Sequence, residues 1–110
     1  MGHSQCGGIR ALMEGRHSNT THGFIDPWMD VMAPAREHVK NDHRESSLDE
    51  QCRLCEREAV GVSLDNLMTF PFVKQRIEEG KVKIHGWYFD FEAGELFERQ
   101  TDGSYRALSE

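Results

Sequence analysis

From Gly7 to Glu14 the chain sets Ile9, Leu12 and Met13 at helical spacing and then reaches Gly15, which predicts a short amphipathic helix closed by a glycine. Arg16 to Gly23 is polar and predicts a loop. Pro27 predicts the start of a second helix carrying Trp28, Met29, Val31 and Met32. Pro34 breaks or restarts it, because a proline inside a helix removes a donor and crowds the preceding turn. The periodicity dissolves in the charged run Lys40 to Glu45 and returns at Ser47-Leu48-Asp49-Glu50. That is a capping box, in which Ser47 accepts from the Glu50 N–H and the Glu50 side chain reaches back. A long helix follows over about Leu48 to Met68, with Leu48, Cys52, Cys55, Ala59 and Val62 recurring at spacings of four, three, four and three along one face.

Pro71 breaks or restarts this helix, Val73 to Glu79 continues helically, and Gly80 is placed as a left-handed cap. The period then changes from helical to alternating. Val82, Ile84, Gly86, Tyr88 and Asp90 alternate with Lys83, His85, Trp87, Phe89 and Phe91, and the β-branched and aromatic content predicts a strand. Ala93-Gly94 predicts a turn, Glu95 to Gln100 a return strand, and Asp102-Gly103 a second turn before Tyr105 to Leu108. The tail is thus a β-hairpin or small meander, and the chain shows no internal repeat or low-complexity segment.

Composition narrows the function classes. The 110 residues suit one domain, and a net charge of −6 argues against a nucleic-acid or anionic-membrane surface, leaving a small molecule or another protein as partner. Three cysteines cannot all pair, and there is no apolar stretch long enough for a signal peptide or a membrane span, so a reducing, cytoplasmic compartment is expected. The sequon pattern Asn19-Thr20-Thr21 carries no weight in such a compartment.

The candidate chemistry sits at the start. His3-Ser4-Gln5-Cys6 is a His-x-x-Cys pair running into Gly7-Gly8 and the first helix. Imidazole and thiolate are zinc ligands, and two such residues converge on one ion when they straddle a tight turn. The glycines let the backbone approach a bound group, and the helix N-terminus favours thiolate over thiol. Cys52-x-x-Cys55 has the spacing of a zinc knuckle or redox pair and would complete a Cys3His set with His3 and Cys6. Both cysteines, however, fall on the apolar stripe of the long helix, where free Cys packs as a small hydrophobe. His17 and His22 lie in a polar loop and could pass protons, whereas His38 and His43 sit in solvated charged surface. Trp28, Trp87, Tyr88 and Phe89 read as core or interface aromatics. In an α/β protein a ligand turn ahead of a helix belongs at the C-terminal end of a parallel strand. Only Met1 precedes Gly2, and an antiparallel tail supplies no parallel sheet, so the expectation is that the chain begins in the middle of a fold.

Gly2-His3-Ser4-Gln5-Cys6-Gly7-Gly8, Pro27-Trp28-Met29, Ala33-Pro34-Ala35-Arg36, the run Val62 to Val73, and His85-Gly86-Trp87-Tyr88-Phe89-Asp90 together resemble the C-terminal half of bacterial β-class carbonic anhydrases. The resemblance covers nearly the whole chain. It implies an α/β class: one partial domain over residues 1–110, helices plus a C-terminal β-hairpin, normally packed on a central parallel sheet, with the N-terminal part of the domain missing. It also implies a zinc-dependent hydration of carbon dioxide to bicarbonate, with His3 and Cys6 as metal ligands and the Gly7 backbone contacting bicarbonate. A homodimer or higher homo-oligomer is implied as well. The family's other ligand comes from a Cys-x-Asp-x-Arg motif that does not occur in this chain. A site needs at least three protein donors, so the fragment alone is expected to be inactive and to leave apolar helix faces exposed. The alternative is a noncatalytic zinc-binding or interaction module built on His3, Cys6, Cys52 and Cys55.

Overall fold

A computed structural model describes residues 1–15 and 25–108 of the chain. Strand β1 (Gly2–His3) leads into helix α1 (Gly7–Glu14), which Gly15 closes in the left-handed region at φ 69°. Helix α2 (Ile25–Met29) passes through a 3-10 turn at Asp30–Met32 into α3 (Ala33–Asp42), so Pro34 restarts the helix within its first turn. Pro27 lies inside α2 rather than at its start, still within the first turn, where its missing N–H costs nothing. Helix α4 (Leu48–Leu67) starts at Ser47, whose Oγ accepts from the Glu50 N–H at 3.2 Å. Helix α5 (Pro71–Glu78) is followed by Gly80 at φ 73°. The expected loop from Arg16 to Gly23, with His17, His22 and the sequon, lies outside the described residues.

Strands β2 (Trp87–Asp90), β3 (Glu95–Arg99) and β4 (Tyr105–Ala107) form the expected meander, with antiparallel registers Tyr88 to Phe97 and Glu98 to Arg106. Strand β2 is shorter than the alternation predicts. Its ladder opens where the Arg99 N–H donates to the Gly86 carbonyl at 2.7 Å, and β3 ends there because the chain turns at Gln100 to Gly103. Val82 to His85 therefore have no strand opposite them.

One expectation is corrected. The sheet is mixed, in the order β1-β2-β3-β4, and β1 pairs parallel to β2, Gly2 against Tyr88 and His3 against Phe89. The ligand turn does follow a parallel strand, and that strand is made of the turn's own first residues.

Helix α4 lies between two layers. One side packs against α1 and α3 around Ile9, Met13, Ala35, Val39, Cys52 and Cys55, all buried. Its next two turns carry Glu56 and Val60 against β1 and β2, where Tyr88 is buried. Gly86 fits only as glycine here: a Cβ would stand 2.7 Å from Val60 Cγ1 and 2.9 Å from Leu64 Cδ1. Arg10 of α1 reaches Asp49 of α4 at 2.7 Å, and Arg36 Nε donates to the Leu12 carbonyl at 2.9 Å, which tie the helices at their rims. Helix α5 has no buried residue, and Phe70 at its N-cap and Phe72 in its first turn stay exposed with their rings 5.9 Å apart. No helix among the described residues is long and apolar enough to cross a membrane.

Candidate metal centre

The turn from His3 to Cys6 is held from below by the end of β2. The Ser4 N–H donates to the Phe89 carbonyl at 2.9 Å, and the buried Ser4 Oγ accepts from the Phe91 N–H at 2.8 Å, so the parallel pairing runs one residue past β1. Gln5 then turns the chain with φ at 54°, the one non-glycine residue with positive φ among those described. Such a conformation costs about 1–3 kcal/mol and persists only where its surroundings over-determine it. Here the Gln5 side chain is hydrogen-bonded to Glu92, in the turn after β2.

His3 is oriented by two contacts. Its Nδ1 lies 2.8 Å from the Ser4 carbonyl, an arrangement in which Nδ1–H donates and Nε2 is left with its lone pair. Its ring meets that of Phe91 edge-on at 5.3 Å. A metal-binding histidine characteristically gives its second ring N–H to a carbonyl or carboxylate in this way.

Cys6 is half-buried and is the N-cap residue of α1, with φ −73° and ψ 116°, yet its side chain makes no capping bond to the helix. The sulfur is not committed to the helix it caps. What holds the backbone at this point is Glu56 of α4, whose Oε2 accepts the Cys6 N–H at 3.1 Å. Glu56 is buried, and its carboxylate is fully engaged: Oε2 also accepts from Arg53 Nη2 at 2.8 Å, and Oε1 accepts from the Tyr88 hydroxyl at 2.8 Å. A buried carboxylate needs such partners, since an unpaired one is among the costliest groups to bury. Burial, then the bond to Glu56, pushes the Tyr88 phenol far above its usual range, so it remains a neutral donor. Arg57 lies 5.2 Å over the ring of Tyr88 on its other side.

His3, Cys6 and Glu56 line one cleft of about 330 Å³, whose remaining wall is largely apolar and includes Met29, Val60 and Leu64. His85 stands in the same cleft, half-exposed, with Nδ1 3.0 Å from Glu98 Oε2. Glu98 also accepts from Trp87 Nε1 at 3.2 Å, and these two bonds hold its carboxyl below the usual carboxylate range. Gly7 is exposed, and a Cβ there would meet nothing within 4 Å, whereas a Cβ on Gly8 would stand 2.9 Å from Met29 Sδ. The first glycine has open space beside its Cα, and the second lets α2 close on α1.

The donors His3 and Cys6 suit zinc in kind, and the hydrogen bond at His3 Nδ1 suits it in orientation. They are two. Among the described residues no three side chains of His, Cys, Asp or Glu gather where an ion could sit. Cys52 and Cys55 do not join them: both are fully buried in the core with Ile9, Met13 and Val39. Burial raises both thiols, that of Cys55 up to about 12, which disfavours the thiolate a metal or a redox exchange requires. The four-residue module is therefore corrected to a two-donor turn and a packed helix face. His38 lies on the surface against Asp42 and Glu58, as expected for solvated charge.

Sequence reasoning did not single out Glu56, and the pattern held a signal for it. Glu56 follows Cys52 by four residues, so it stands on the apolar stripe, where a carboxylate is out of place unless something pairs with it.

A family model described as carbonic anhydrase matches residues 1–96. Beta carbonic anhydrase 3 of Arabidopsis thaliana is 44% identical over 96 residues, which are 86% of this chain and 37% of that protein. Beta carbonic anhydrase 5, chloroplastic, of the same plant is 34% identical over 91 residues, 83% of this chain and 30% of that protein. The chain thus spans about a third of the length of these curated relatives. Among solved structures, the β-carbonic anhydrase CcaA matches with TM-score 0.88 and 22% identity, over 99% of this chain and 49% of that one. The β-carbonic anhydrase CafA of Aspergillus fumigatus matches with TM-score 0.72 and 27% identity, over 93% of this chain and 46% of that one. One of two tetrameric β-carbonic anhydrases from Sordaria macrospora matches with TM-score 0.62 and 26% identity, over 87% and 48%. These similarities carry the β class and not the bacterial branch of it.

Proposed function

Because the chain belongs to the β-class carbonic anhydrase family, we propose that it carries the His–Cys half of a zinc site for the reversible hydration of carbon dioxide to bicarbonate and a proton. His3 and Cys6 are the chain's metal ligands in this reading, and the third protein donor comes from outside the described residues. The observation that carries the reading is the turn itself. A parallel strand end, a strained Gln5 and the His3 Nδ1 bond to the Ser4 carbonyl together present one imidazole and one uncommitted thiol to a common cleft.

The chemistry zinc supplies when bound is Lewis-acid activation of a water molecule toward attack on carbon dioxide. The chain's own contribution is binding and orientation. His3 offers Nε2 while its other nitrogen is fixed, and Cys6 offers sulfur from a backbone that Glu56 holds. Gly7 begins α1 with nothing over its Cα, so its backbone can meet bicarbonate at the end of a helix where N–H groups lack partners and an anion is favoured. Apolar side chains such as Met29, Val60 and Leu64 line the cleft with surface that suits uncharged carbon dioxide.

A homodimer or larger homo-oligomer belongs to the same proposal. Trp28, Phe70 and Phe72 are exposed apolar groups that a second copy would cover, and the Sordaria macrospora relatives are tetrameric.

Metal analysis and stopped-flow hydration test it together. Wild-type chain is expected to hold zinc substoichiometrically and to gain hydration activity only when mixed with a segment supplying a Cys-x-Asp-x-Arg strand. Cys6→Ser should lose both metal and rescued activity, while Cys52→Ser and Cys55→Ser keep them. Zinc retained in Cys6→Ser, or full activity from a monodisperse sample of the chain alone, would overturn the placement of the site.

A further inference from the structure

We propose that Glu56 is the positioning residue of the metal turn: its buried carboxylate sets where Cys6 stands by accepting the Cys6 N–H, and it is itself held in place by Arg53 and Tyr88. The inference rests on the reading of Cys6 as a ligand, and extends it to a residue that touches neither metal nor substrate.

The geometry is specific. Glu56 belongs to α4, fifty residues along the chain from Cys6, and it is the side chain that joins the layer of helices to the ligand turn. Its two oxygens divide the work. Oε2 faces Cys6 and Arg53, at 3.1 and 2.8 Å, and Oε1 faces the Tyr88 hydroxyl at 2.8 Å. Tyr88 lies on β2 directly opposite Gly2 of β1, so one carboxylate ties the strand beneath the turn to the residue that ends it. Cys6 has no capping bond of its own to α1, which leaves the bond to Glu56 as its lateral anchor. Without that anchor the Cys6 backbone would be free to shift, carrying the sulfur away from its place beside His3. A carboxylate is suited to the task because it accepts from three donors at once, which an amide or hydroxyl oxygen at this position could not do with equal strength.

The test uses three variants of the full chain: Glu56→Met, which fills the volume without an acceptor, Glu56→Gln, which keeps one acceptor, and Tyr88→Phe, which removes a partner of Glu56 and leaves the bond to Cys6. Two readouts are taken, hydrogen exchange of the Cys6 amide measured against the amide of Met13 in α1, and zinc affinity by competition with a chelating dye. In Glu56→Met the Cys6 amide is expected to exchange at least about tenfold faster relative to Met13, and zinc affinity to fall by about 10- to 100-fold, the range found when outer contacts to a metal ligand are removed. Glu56→Gln should recover most of both, and Tyr88→Phe should keep the Cys6 amide protected. An unchanged Cys6 amide in Glu56→Met, an affinity that stays put once that amide is released, or a Tyr88→Phe variant that releases it equally would each overturn the proposal. If Glu56→Met does not fold, Tyr88→Phe decides: a carboxylate that serves only the packing around it predicts that losing this partner releases the Cys6 amide, whereas the anchor predicts an amide still protected and a zinc affinity that is kept. Wild-type chain with a protected Cys6 amide and no affinity for zinc would instead sink the metal reading and leave the anchor standing.

Discussion

His3 and Cys6 are separated by the same two residues as Cys52 and Cys55, but the two pairs live in opposite surroundings. The first pair straddles a turn with a positive-φ Gln5, flanks a cleft, and has a histidine whose second nitrogen is already engaged. The second pair sits inside α4, one helical turn apart, in the driest part of the molecule. Spacing is identical and the chemistry differs, because a ligand needs an uncommitted lone pair facing a space, and a helix interior packed against Met13 and Val39 offers none. The difference can be pressed by making like changes in both places.

The largest effect is expected for an acid placed in the packed pair. Cys55→Asp puts a carboxylate into the core beside Glu56, where burial and like charge outweigh the pull of Arg36, and should cost more than about 4 kcal/mol. For a chain of this size that lowers Tm by about 15 °C or more, read by thermal melting followed with circular dichroism. A Cys55→Asp variant that melts like the parent would mean that this face of α4 is not core.

At the turn the analogous polar change should act on function and spare the fold. Cys6→Ser replaces an N-cap thiol by one of the best N-cap residues, so the metal-free chain should gain about 0.5–1 kcal/mol while zinc binding is lost. Chemical denaturation together with metal analysis separates the two effects. Cys6 is only partly buried at the edge of the core, so a Cys6→Ser variant destabilised as strongly as Cys55→Asp would erase the contrast.

Alkali should act through the buried pair. Burial lifts the Cys55 thiol from 9.0 to about 12, so the folded chain keeps a proton that the unfolded chain releases first. That contribution is whole below 9.0 and is lost as pH rises toward 12, because the unfolded state then binds fewer protons. Tyr88 and Tyr105, both raised chiefly by burial, push in the same direction at higher pH. Urea midpoints measured from about pH 8 to 11 should fall steadily, and Cys55→Ala should flatten the decline. An equal slope in the variant would remove Cys55 from the account.

The smallest effect concerns the caps of the two helices. Ser47 accepts from the Glu50 N–H, and Cys6 makes no such bond. Ser47→Ala should cost about 1 kcal/mol by denaturant titration, without touching zinc binding. Loss of zinc in Ser47→Ala would tie the metal turn to the start of α4, which the geometry does not.

Much of the helical architecture was legible along the chain, because its causes are local. Ile9, Leu12 and Met13 before Gly15, the Ser47 capping box, and the stripe from Leu48 to Val62 each lie within a few turns of the residues that decide them. Ala93-Gly94 and Asp102-Gly103 marked the meander for the same reason. His3 and Cys6 were legible as candidate ligands by residue type and spacing together with the family resemblance. Their partners were not. The alternation from Val82 could not reveal that only Trp87 onward finds a strand opposite it, since that depends on where β3 turns away. Nor could it show that Gly2 and His3 pair with Tyr88 and Phe89 more than eighty residues later in the chain.

What the sequence determined by itself, then, was which segments are helical, where they are capped, and which side chains are chemically able to hold a metal, all of them matters of propensity, period and residue type. Tertiary structure alone decided which cysteines face a cleft and which are sealed in the core. It also decided that a glutamate on the apolar stripe of α4 anchors Cys6 rather than disrupting the helix face. Both outcomes rest on contacts across thirty to fifty residues of chain, from Glu56 to Tyr88 and from Glu56 to Cys6. Such contacts form only once burial has gathered the layers, and no local pattern records the partner that a buried charge will find.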